Sequence, residues 1–75
     1  MNLDRITVNP EQMNGQPCIR GMRITVRRVL EVLAVYSDRE ELKREYPEIE
    51  DEDIKQALEY AATYLDDRIM DSTAA

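Results

Sequence analysis

The apolar residues of segment 54–69 recur at helical spacing, and they cover more of the helix than one core can use. At about 100° per residue, Ile54, Ala57, Leu58, Ala61, Ala62, Leu65 and Ile69 share a face, which Tyr60 and Tyr64 extend to roughly 200° of arc. A single core asks for a stripe of roughly 100°. The surplus predicts a second surface, and Tyr60 and Tyr64 are the candidate partner contacts. Arg68 falls at about 320° on the same wheel, near Ala57 and Ala61, where a lone arginine is out of pattern. It is a third candidate partner contact, because a guanidinium fork can pair with a partner's carboxylates.

The run Glu50-Asp51-Glu52-Asp53 stands just before this helix, where carboxylates complement the N-terminal dipole. Capping and solubility account for it. Pro47 ends a shorter helix near Tyr46, because the residue before a proline is pushed out of the helical region. That helix opens at Ser37-Asp38-Arg39-Glu40, a capping-box pattern with Ser37 as cap, and carries the apolar pair Leu42 and Tyr46. Upstream, Thr25 caps a first helix over 26–36, with Val26, Val29, Leu30 and Leu33 at i, i+3, i+4 and i+7. Ile6 and Val8 alternate with polar neighbours as a short half-buried strand stopped by Pro10. Gly15, Pro17 and Gly21 then mark a loop, and Ile19 to Ile24 read as a bend or small ribbon.

The expectation is a mainly α single domain. A strand and Gly/Pro loop (1–24) precede three helices (25–69) and a flexible tail (70–75). Seventy-five residues bury only about 60% of the unfolded chain's surface, so a homodimer is expected.

The chain has no histidine and one cysteine, Cys18. A Ser-His-Asp triad, a histidine acid–base and a Cys/His zinc site are excluded within it, and no catalytic residue, cofactor or metal site is assigned. Cys18 reads as a small buried hydrophobe. The longest apolar run, Val32 to Tyr36, is too short for a membrane span, and one cysteine without an export signal points to the cytoplasm.

Charge is divided between the halves. Residues 1–36 carry five arginines against three carboxylates, a net of +2, and the remainder carries five bases against 13 carboxylates, a net of −8. Two helices around Pro47 have the layout of a helix-turn-helix, but four carboxylates at the leading end of the last helix oppose DNA phosphates. If operator DNA is bound, the candidate readers are Arg20, Arg23, Arg27 and Arg28.

Gly15, Pro17, Ile19, Gly21, Arg23, Ile24 and Val26 form G-x-P-x-I-x-G-x-R-I-x-V, followed by Tyr46-Pro47, Asp53-Ile54, Ala57-Leu58 and Tyr60. The two stretches, in order over about Arg5 to Leu65, resemble domain-of-unknown-function family 433. The chain departs from the family's pattern at Met22, Thr25 and Glu50, where threonine, proline and a serine or threonine cap are common. The resemblance implies a homeodomain-like helical fold, a dimer and an antitoxin-like role beside a PIN-like nuclease toxin, with no established catalytic residues. Function is therefore expected to be neutralisation of such a ribonuclease, the alternative being a small dimeric DNA-binding regulator.

Overall fold

The computed structural model describes residues 2–65. Two short strands, β1 (Ile6–Thr7) and β2 (Cys18–Ile19), pair antiparallel with Ile6 opposite Ile19 and Thr7 opposite Cys18. Three helices follow: α1 (Val26–Val35), α2 (Arg39–Glu45) and α3 (Asp51–Ala62). The mainly α fold with an N-terminal ribbon is as the sequence predicts.

The bend after β2 is a tight turn. Arg20 and Gly21 both adopt positive φ, 48° and 72°, and the Met22 N–H closes the turn on the Ile19 carbonyl at 2.8 Å. Glycine takes this conformation without steric cost, whereas Arg20 takes it against a preference of roughly 1–2 kcal/mol. Thr25 caps α1 as expected, its hydroxyl accepting from the Arg28 N–H at 2.9 Å.

The core is built where the ribbon, α1 and α3 meet. Ile19, Val29, Leu42, Ile54 and Ala57 are almost wholly shielded, and Ile49, just after Pro47, joins them. Each buried aliphatic side chain of this size contributes about 1.5–3 kcal/mol by leaving water. Leu42 is the anchor of α2, with Tyr46 half-buried beside it.

Four local expectations are corrected. Val8 is 60% exposed, because the strand pairing ends at Thr7 and the chain turns away. Asp38, rather than Ser37, caps α2, accepting from the Glu40 N–H at 3.0 Å. Regular α3 stops at Ala62, short of the predicted Ile69. There the Thr63 hydroxyl and N–H both donate to the Tyr60 carbonyl, at 2.6 and 3.1 Å, and the Tyr64 and Leu65 N–H groups fall back on the carbonyls three residues earlier. Finally, Leu58, Ala62 and Leu65, placed on the core-facing arc by their spacing, are exposed.

Candidate functional site

The apolar surplus of α3 is real, but its position differs from expectation. The buried side of the helix carries Asp53, Ile54, Gln56 and Ala57. Leu58 (48% exposed) and Ala62 lie on the adjoining side of α3, Leu65 (75% exposed) follows in the turn after it, and none of the three packs on the core among the described residues. Tyr60 is half-buried and packs on the core, while Tyr64 is 72% exposed. Their rings lie 5.1 Å apart and their hydroxyls 3.0 Å apart. The hydrogen bond with Tyr64, aided by burial and the neighbouring hydroxyl's charge, raises the Tyr60 phenol above its ordinary value. Arg68 lies outside the described residues. The surface available to a partner is thus Leu58, Tyr64 and Leu65, with Tyr60 as support.

The four candidate arginines do not form one site. Arg20 turns inward: its Nη2 donates to Asp53 Oδ2 at 2.8 Å and to the Glu48 carbonyl at 2.7 Å, and its Nε donates to Asp53 Oδ1 at 3.0 Å. Arg5 reaches the same carboxylate at 3.0 Å and Glu50 at 2.6 Å. The Asp53 side chain is wholly buried, yet it also accepts the Glu50 N–H at 2.8 Å, closing a capping box on α3. Burial pushes the Asp53 carboxyl upward, but the hydrogen bonds from Arg20, the Glu50 backbone and Arg5 outweigh it, and the net shift is downward. Arg20 therefore locks the fold.

Gln56 completes the lock. Its side-chain carbonyl accepts the Arg5 N–H at 2.8 Å, and its amide donates to Asp4 at 2.9 Å and Glu52 at 3.0 Å. At about 200° on the wheel from Ile54 it lies just outside the apolar arc, so helical periodicity carries no signal for it.

Arg23, Arg27 and Arg28 gather around a surface depression of about 370 Å³, walled also by Met13, Gln16 and Glu31. A smaller depression of about 190 Å³ adjoins it, sharing Arg28 and Glu31 and continuing to Val35, Tyr36 and Tyr46. The two tyrosine rings meet edge to face at 6.1 Å. The far wall is strained, since Met13, Asn14 and Gly15 take three successive positive φ values of 51°, 60° and 77°. Strain of this kind at a non-glycine residue costs roughly 1–3 kcal/mol.

Glu50, Asp51 and Asp53 at the leading end of α3 are spent on pairing within the chain, Asp51 with Lys43 at 2.9 Å and Arg39 at 3.6 Å. Among the described residues, no group of three potential metal-ligating side chains comes together. No helix of the described residues is long and apolar enough to cross a membrane.

Compared with known protein families, residues 6–61 match the family described as protein of unknown function (DUF433). The chain belongs to this family. No curated protein and no solved structure matches it. In this DUF433 protein the Gly/Pro motif and the later Asp-Ile motif meet in space: the turn at Gly21 carries Arg20 onto Asp53, the residue before Ile54. The motifs recognised in the sequence thus correspond to an internal lock, with the outward-facing chemistry lying beside it on α1 and α3.

Proposed function

We propose that this protein is the antitoxin of a toxin–antitoxin pair, a small homodimeric binding protein that neutralises a PIN-like ribonuclease. The observation that carries the reading is the exposure of Leu58 on α3 and of Tyr64 and Leu65 in the turn just after it, none of which packs on the core among the described residues. Exposed apolar side chains of this size supply affinity for another protein. The solvent sides of α2 and α3 add Glu40, Glu41, Glu45 and Glu52, all exposed. A ribonuclease is basic where RNA phosphates lie, and a carboxylate-rich surface competes for that ground and speeds encounter. The chain's net charge of −6 acts in the same direction.

The homodimer follows from the small core, which leaves a 75-residue chain short of buried area. DNA recognition through the arginines is less well supported than protein binding, because Arg20 is engaged by Asp53. The test is co-expression with a PIN-like nuclease encoded beside this gene. Growth should be rescued by the native chain and not by Leu58→Glu with Leu65→Glu. Equal rescue by both would overturn the assignment of these residues.

A further inference from the structure

The two adjoining depressions on the outer face of α1 use none of the α3 residues on which the nuclease reading rests. Their chemistry is graded along the groove. At one end, Arg23, Arg27 and Arg28 face a single carboxylate, Glu31. At the other, Val35, Tyr36 and Tyr46 offer an apolar and aromatic wall. Arg28 is the hinge between the ends, and it is held weakly: its Nη1 reaches Glu31 at 3.4 Å and its Nη2 reaches the Tyr46 hydroxyl at 3.4 Å. The locking guanidinia, by contrast, sit 2.6–3.0 Å from their carboxylates. Arg27 meets the same Glu31 at 3.3 Å, and Arg23 contacts only the Met13 sulfur, at 3.9 Å, among the described residues.

We infer that this groove is a docking site for a peptide segment of a partner protein in which a carboxylate side chain is followed by a large apolar one. The carboxylate takes the fork of Arg28 together with Arg23, a charge-assisted pairing stronger than the long contacts it replaces. The apolar side chain fills the depression against Tyr36 and Tyr46. Charge complementarity selects this occupant. Three guanidinia facing one glutamate leave local positive charge in a chain whose net charge is −6, which suits one or two carboxylates. Nucleic acid binding draws its affinity from many neutralised phosphates, and a patch of three arginines on an acidic protein offers few.

The test is an NMR titration of the ¹⁵N-labelled full chain with the peptide acetyl-Ala-Ser-Glu-Phe-Ser-Ala-amide. Two control peptides replace its glutamate by glutamine or its phenylalanine by alanine, and a third arm uses a thymidine hexanucleotide. The first peptide should shift the amides of Arg23, Arg28 and Tyr46, and each control should bind at least about fivefold more weakly. Arg23→Ala and Arg28→Ala replace exposed side chains, should melt like the native protein, and should bind about tenfold more weakly. Glu31→Gln removes the competing carboxylate and should bind severalfold more tightly. Equal response to the glutamate and glutamine peptides, or no effect of Arg23→Ala, would overturn the proposal. Stronger, more salt-dependent shifts of the same amides by the hexanucleotide would also overturn it and assign the groove to nucleic acid.

Discussion

Arg20 Nη2 lies 2.8 Å from Asp53 Oδ2, joining residues 33 positions apart through a carboxylate with no exposed surface. Arg5 holds the other oxygen of the same carboxylate, so one buried anion fastens the N-terminal strand and the ribbon turn to the start of α3. Replacing the carboxylate removes the acceptor of these charge-assisted hydrogen bonds, while Arg5 and Arg20, each about a third exposed, stay solvated, at a cost of about 1.5–3 kcal/mol. A domain of this length has a total stability of about 4–11 kcal/mol. Asp53→Asn should therefore lower Tm by at least about 6 °C, while Arg27→Ala, which breaks only an exposed pair, should change it little. Thermal melts followed by circular dichroism compare the two, and similar Tm values would refute the lock.

Acid should open the lock. The folded protein holds the Asp53 carboxyl below its ordinary value, so the unfolded chain binds that proton more readily. Its contribution is present in full above the unfolded pKa of about 3.9 and is lost as pH falls through the lower folded value. Urea unfolding between pH 7 and pH 3 should show little Asp53-dependent change down to about pH 5 and a steep loss below about 4. Asp53→Asn should flatten that acid limb, and an unchanged limb would remove Asp53 as its source.

Gln56 and Lys55 are neighbours on α3 with opposite expectations. Gln56→Leu leaves the half-buried Arg5 N–H without its side-chain acceptor and should cost about 0.5–1.5 kcal/mol, with faster hydrogen exchange at that amide. Lys55→Ala changes an exposed side chain and should stay within about 0.5 kcal/mol of the native protein. Slow exchange at Arg5 in Gln56→Leu would show that the contact is dispensable.

Along α3 and the turn after it, folding and partner binding should separate by residue. Ile54→Ala should destabilise by about 2–5 kcal/mol because the side chain is enclosed, whereas Leu58→Ser and Leu65→Ser should leave the melt almost unchanged. Sedimentation equilibrium at micromolar concentration should show a dimer for the native chain, and the same measurement on Leu58→Ser with Leu65→Ser checks whether a second copy uses these residues. A monomer would remove the homodimer from the account.

Much of the fold was legible because periodicity and caps are local. Thr25 announced α1, Pro47 separated the later helices, and the acidic run marked the start of α3. Local pattern could not tell which side of an arc wider than one core would be buried, because that depends on where the ribbon lies. The buried polar pair Asp53 and Gln56 drew the core side away from Leu58 and Leu65, and a count of apolar residues gives no weight to either. Arg20 illustrates the same limit. Its charge suggested an outward role, and only the positive-φ turn at Arg20-Gly21, a tertiary arrangement, aims it at Asp53.

The proposed neutralisation of a ribonuclease rests on Leu58 of α3 and on Tyr64 and Leu65 just after it. The most direct measurement is RNA cleavage by a purified PIN-like nuclease encoded beside this gene, with rising amounts of native chain or of the Leu58→Glu, Leu65→Glu variant. The native chain should abolish cleavage near stoichiometric ratio while the folded variant leaves it intact. Undiminished cleavage in excess native chain would contradict the account.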